Sequence, residues 1–135
     1  MFFLLQSDFD VAIKAENLDK ILVNKPINLD AVVMAAVEEV QSYLRSKFDV
    51  ADIFNAEGDA RNQQIIMYTT DIALYHLHTS IAPRQIPEMR YERYNQAIEW
   101  LKGCSKGTIV PNLPQLPTES SNKLQWGSNP KFRFD

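Results

Sequence analysis

Apolar residues recur along the chain at three- and four-residue steps, the period of a helix that buries one face. The longest stripe is Leu29, Val33, Ala36, Val37, Val40, Leu44 and Phe48, and it predicts a helix over Asn28 to Phe48. Asn28 suits its N-cap, and Asp30 lies in the first turn, where the helix dipole favours a carboxylate. Glu38, Glu39, Gln41, Arg45 and Lys47 take the remaining surface, a solvated face or, in a ring, lumen or rim charge. A second long helix is predicted from about Ala60 to Thr79. Its middle, Ile65 to Tyr68 and Ile72 to Tyr75, is apolar nearly all round, which marks the central and most buried helix. Pro83 and Pro87 bracket a tight link, and Pro87 suits the first position of a third long helix. That helix turns Tyr91, Tyr94, Ala97, Ile98, Leu101 and Cys104 to the core and stops near Ser105, with Gly103 and Gly107 at its end.

Two shorter elements precede these. Ser7 to Lys14 reads as a short helix, capped by Ser7 with Asp10 three residues on. Asn17 to Val23 reads as a further helical turn, closed by Asn24-Lys25-Pro26. Asp49 to Asp59, with Asn55, Gly58 and Asp59, predicts a loop. The expected fold is therefore all-α: a small bundle of three long helices plus one or two short ones.

From Thr108 the pattern changes. Residues 108–135 hold four of the seven prolines, and the Pro111, Pro114, Pro117 spacing favours an extended, polyproline-like path. The same stretch carries Leu113, Leu116, Leu124, Trp126, Phe132 and Phe134, more apolar side chains than a solvated linker holds. An arm that packs on another molecule accounts for both features; folding back on its own helices is the alternative. The chain divides accordingly into a helical domain, 1–107, and an extended C-terminal arm, 108–135. The expected partner-binding residues are Leu113, Leu116, Trp126, Phe132, Arg133 and Phe134.

Composition narrows the function. The chain has 135 residues and a formal net charge of −3, which disfavours a dedicated reader of nucleic acid. Its single cysteine, Cys104, cannot form an intrachain disulfide and fits a reducing compartment. Four isolated glycines build no phosphate-cradling loop. The longest apolar run, Ala31 to Val37, is seven residues, far short of a membrane span. Met1 to Leu5 is apolar but lacks a basic flank and ends at Gln6-Ser7-Asp8, so it reads as a strand or first turn docked on the core or on a neighbour.

Candidate chemistry is sparse. His76 and His78, two apart on a helix, diverge by about 200° and cannot share a metal. Asp71, Tyr75 and His78 share a face and could form an acid–base cluster, although a polar seam between helices or subunits fits better. Cys104 falls in register with Tyr94, Ala97 and Leu101, as a packing residue does. Arg90-Tyr91-Glu92-Arg93-Tyr94, with Arg84 upstream, mixes cations and aromatics as nucleic-acid binders do. Glu88, Glu92 and Glu99 break up that charge and point instead to an amphipathic face. No catalytic site, cofactor or metal is expected. A structural assembly module and a small helical regulator of protein or DNA both remain open; the long acidic stretch at Asp49 to Asp59 disfavours a DNA reader.

Three segments in order resemble the Mu-like phage head–tail adaptor (connector) family: Glu38 to Phe48 with its Tyr43-Leu44 pair, Asp71-Ile72-Ala73-Leu74-Tyr75-His76-Leu77, and Arg90 to Lys102 with Trp100-Leu101, followed by Gly107. The likeness spans about residues 7–110. The chain departs from the family's pattern at Asp49-Val50-Ala51-Asp52, where the family tends to have a proline, and in its Pro-rich tail. The resemblance implies a non-enzymatic virion protein of the head–tail junction, assembled in the host cytoplasm. It implies a homo-oligomeric ring, commonly of twelve copies, beneath the portal protein. Such a ring extends the channel through which double-stranded DNA passes without sequence-specific binding, and presents a surface to the next neck or tail protein. Tyr43, Leu44, Ile72, Tyr75, Tyr94 and Trp100 are expected to be mainly fold-forming. No membrane partner is expected. On this reading, removal of residues 108–135 leaves the helical circular-dichroism signal largely intact.

Overall fold

A computed structural model describes residues 3–13, 29–81, 84 and 86–116. The turn expected at Asn17 to Val23 and the Asn28 cap lie outside these residues. Among the described residues the fold is all-α, with five helices: α1 (Gln6–Ala12), α2 (Leu29–Leu44), α3 (Val50–Asn55), α4 (Gln63–Ile81) and α5 (Glu88–Lys106). α4 is the hub, with α2, α5 and α1 all packed against it, and α2 also meets α5. Ile65, Ile72, Leu74 and Leu77 of α4 are fully buried, as the all-round apolar pattern requires. Facing them are Val33, Ala36, Val40 and Leu44 of α2 and Ala97, Trp100, Leu101 and Cys104 of α5. Each fully buried Leu or Ile contributes about 1.5–3 kcal/mol relative to exposure.

The ends of the helices follow local chemistry. α1 begins one residue before the expected Ser7: the Leu5 N–H donates to Asp8 Oδ2 at 2.7 Å, so Asp8 holds the first turn. Phe3 and Leu4, ahead of it, dock on the chain's own core. α4 starts at Gln63 rather than Ala60 because Asn62 Oδ1 accepts the Ile65 N–H at 3.0 Å. Pro87 stands at the N-cap of α5, one place earlier than expected. At the other end Gly107 takes φ +88° and donates its N–H to the Gly103 carbonyl at 3.0 Å.

The stretch Asp49 to Asp59 is not a plain loop. It contains α3 and a single 3₁₀ turn, Gly58–Ala60. Asp49 caps α3 by accepting the Asp52 N–H at 3.1 Å, and Val50, Ile53 and Phe54 supply a one-turn apolar face. The turn-forming residues in this stretch masked a cap followed by helically spaced apolar residues.

Residues 108–116, the described part of the expected arm, run back along the helices. Ile109 lies so close to α5 that a Cβ on Gly103 would sit 2.5 Å from its Cδ1. Leu113 is buried at 8% exposure among the core residues. The Asp49 N–H donates to the Pro114 carbonyl at 2.9 Å, the Leu116 N–H donates to the Lys47 carbonyl at 3.3 Å, and Phe48 and Gln115 form an isolated antiparallel bridge. Packing therefore continues past residue 107, through residue 116. The physical reason is that Leu113 has a greasy seat available on its own domain. A chain ending after residue 107 should lose about 3 kcal/mol and roughly 10 °C in Tm, since a large buried side chain and its supports go. A chain ending after residue 116 should melt as the full chain does. Thermal denaturation followed by circular dichroism separates the two.

Candidate functional site

The polar residues that the sequence singles out as chemistry are drawn between helices. Asp71, 2% exposed in the middle of α4, accepts the Arg93 Nε–H at 3.0 Å, and Arg90 Nη1 stands 3.8 Å from the same oxygen. Burial pushes the Asp71 carboxyl up, against the pull of both guanidiniums. Burial also pushes Arg90 down, while the hydrogen bond and charge of Asp71 hold Arg93 up. The two arginines of the mixed basic–aromatic run are thus turned onto a carboxylate of their own chain. That arrangement speaks against a nucleic-acid face there.

Asp71, Tyr75 and His78 do not act on one another. Tyr75 stacks on Tyr94 with ring centroids 4.1 Å apart. His78 is buried, and its Nε2 has no hydrogen-bond partner among the described residues. Burial pushes its pKa down, and the charge of Arg90 adds to that. His76 pairs with a residue that sequence reasoning assigned to a solvated face: its Nε2 lies 2.7 Å from Glu39 Oε1. The other oxygen of Glu39 accepts the Tyr94 hydroxyl at 3.1 Å, so one carboxylate joins α2, α4 and α5. Only Glu38 of that pair of glutamates is truly exposed, in a loose 3.8 Å contact with Arg45. The step of about 100° between adjacent residues on a helix, which sets the two glutamates on different faces, was the available signal.

Arg61 is a second residue the sequence did not flag. It donates to Asp8 Oδ2 at 2.6 Å, to the Phe3 carbonyl at 2.8 Å and to the Gly58 carbonyl at 2.9 Å, and lies over the Phe3 ring. It pins the start of the chain and the 3₁₀ turn to the head of α4. Cys104 is buried, and desolvation pushes its thiol up to about 11, which suits packing rather than nucleophilic attack. Among the described residues no group of three His, Cys, Asp or Glu side chains is placed to hold a metal. No helix among them is long and apolar enough to cross a membrane.

Of the expected partner-binding residues, Leu113 is buried in the chain's own core. Leu116 is 38% exposed at the edge of the fold. Trp126, Phe132, Arg133 and Phe134 lie outside the described residues. Two surface hollows stand out. One, about 560 Å³, is lined mainly by polar groups including Arg61, Asn62 and Asn112. The other, about 440 Å³, lies between α1, α4 and α5 and is walled largely by apolar side chains.

Among known protein families, the one described as "Bacteriophage Mu, Gp36" matches residues 5–126. No curated protein and no solved structure matches the chain.

Burial and the Glu39 carboxylate together push the Tyr94 hydroxyl up to about 12 from its ordinary 10. A raised folded-state value means the native chain keeps this proton longer than the unfolded one. The stabilisation is complete below pH 10 and is lost as pH rises toward about 12. Urea denaturation across that interval should show stability falling with pH, and Tyr94→Phe should flatten the fall. An equal slope in both chains contradicts the assignment.

Proposed function

The chain belongs to the bacteriophage Mu Gp36 family, and from that premise we propose that it is a structural head–tail connector subunit. In this reading, copies form a closed ring below the portal protein, twelve by the family resemblance. The ring continues the DNA channel and docks the next neck or tail protein. The chain works at the head–tail junction of the virion and carries out no catalysis.

The family match over most of the chain is the observation that carries this reading. The disposition of the polar groups supports it. Asp71, Arg90, Arg93, Glu39, His76, Tyr94 and Arg61 are engaged in joining helices, as suits a rigid building block. A net charge of −3 suits a channel that lets DNA pass, because each phosphate a protein neutralises adds to retention. A ring needs head-to-tail contacts that close, and a tethered arm raises the effective concentration of each such contact. Residues beyond Leu116, with Trp126, Phe132, Arg133 and Phe134, are the arm in this reading.

The test is capture of the full chain by its cognate portal protein, followed by native mass measurement and electron microscopy. The expected result is a ring on the portal. Replacing Trp126, Phe132 and Phe134 together by alanine should leave the helical circular-dichroism signal unchanged while weakening assembly. A chain that ignores the portal and is missing from purified virions overturns the proposal.

A further inference from the structure

The end of α4 and the head of α5 are seated by few side chains. Thr79 is half-buried and Ser80 exposed, and both hydroxyls donate to the His76 carbonyl, each at 2.9 Å. Side-chain bonds of this kind compete with the helical ladder and weaken a helix end. His78, at 9% exposure, is the last side chain of α4 described as buried. Across the joint, Glu88 and Met89 are exposed, and Arg90, at 4%, is the first buried side chain of α5. Residues 82–87 separate the two helices. The joint is therefore seated on a guanidinium that is always charged and on an imidazole that becomes cationic when it takes a proton.

The surroundings provide nothing for that second charge. His78 Nε2 is buried and has no hydrogen-bond partner among the described residues. Both nitrogens of an imidazolium are donors, so protonation places a charged N–H in the interior with no acceptor to meet it. The charged groups near this interface are committed elsewhere. Arg90 and Arg93 come from α5, and Arg93 donates to Asp71 at 3.0 Å. Asp71 itself stands roughly 10 Å back along α4 from His78. Asp8 of α1 is closed onto Arg61 at 2.6 Å, and Glu39 of α2 faces His76 and Tyr94. Burial holds the His78 imidazole below its ordinary 6.5, and the charge of Arg90 adds to this. An opened chain thus binds the proton before the closed one does. The joint has its full stability above pH 6.5 and loses it as pH falls below that value. Asp71 acts in the opposite sense, because its raised carboxyl makes the fold take up a proton more readily as pH falls.

We propose that the α4–α5 joint is a proton-operated hinge, in which protonation of His78 parts the last turn of α4 from the first turn of α5 while the rest of the bundle holds. Further along, the two helices stay tied by Arg93 on Asp71, by Tyr75 stacked on Tyr94 and by Tyr68 against Trp100. Met89 and Tyr91, both exposed, ride on the first turn of α5, so the surface that this helix offers changes with pH. Assembly plays no part in the hinge, which stands or falls apart from the connector reading.

The test is hydrogen–deuterium exchange of the full chain at about pH 7.5 and about pH 5.5, corrected for the intrinsic pH dependence of exchange. One unit below 6.5, an opening that frees His78 is favoured about tenfold more. Peptides from residues 76–92 should therefore exchange about tenfold faster at the lower pH, with α2 unchanged. His78→Gln, which takes no proton, should abolish the difference, and His76→Gln should keep it. If His78→Gln fails to fold, nuclear magnetic resonance of the one imidazole left in His76→Gln decides, and that ring should remain neutral at pH 6.5 and below. A ring that titrates at 6.5 overturns the proposal. Unchanged exchange at the joint, an acid response that survives His78→Gln, or a rise spread evenly over all the helices overturns it too.

Discussion

A carboxylate buried in the middle of the central helix governs how the other helices can lie. Asp71 is 2% exposed, and an ionised group taken out of water costs several kcal/mol unless partners are supplied. Both partners come from α5, as Arg90 and Arg93 on one face of that helix. One hydrogen bond from Arg93 and one 3.8 Å ion pair from Arg90, three residues apart and onto one carboxylate oxygen, leave α5 little freedom to slide or turn along α4. The aromatic contacts on either side agree with this register: Tyr75 stacks on Tyr94 at 4.1 Å, and Tyr68 meets Trp100 at 4.8 Å. Glu39 then ties α2 to the same pair through His76 and Tyr94. Hydrophobic burial supplies most of the stability, but it is non-directional, and these polar links specify the arrangement.

The same links bear on function. A group held between two helices is poorly placed to meet a substrate, and the polar residues most suggestive of chemistry are held in that way. Among the apolar side chains left at the surface are Val11, Met67 and Met89, around one hollow, and Leu116 at the edge of the fold. Membership of a phage protein family and a surface of this kind are consistent with a part whose work is to be held in place by other parts.

The long helices were legible because their apolar stripes run for many turns, so the period declares itself in spite of uncertain ends. α4 stood out because Ile72, Ala73 and Leu74 leave no solvated side. Short elements were less legible. α3 has one turn of apolar spacing and sits among Asn, Gly and Asp, where turn chemistry and helix capping use the same residues. The fate of Glu39 was hidden for another reason: periodicity places a residue on a helix face, but it does not say which neighbouring helix looks back. Leu113 shows a similar limit. Pro111 and Pro114 set an extended backbone, yet extension says nothing of the surface along which the chain runs, and here that surface is its own domain. The partner of Asp71 was half visible, since the Arg90 and Arg93 spacing implied a shared face without naming its target.

The most direct measurement is a double-mutant cycle on stability between α4 and α5, using Asp71→Asn, Arg93→Gln and the pair together, by urea denaturation. The buried carboxylate as the link that sets the helix register predicts strong coupling, with a deficit from additivity of about 1–3 kcal/mol. Costs that add to within about 0.5 kcal/mol would contradict it.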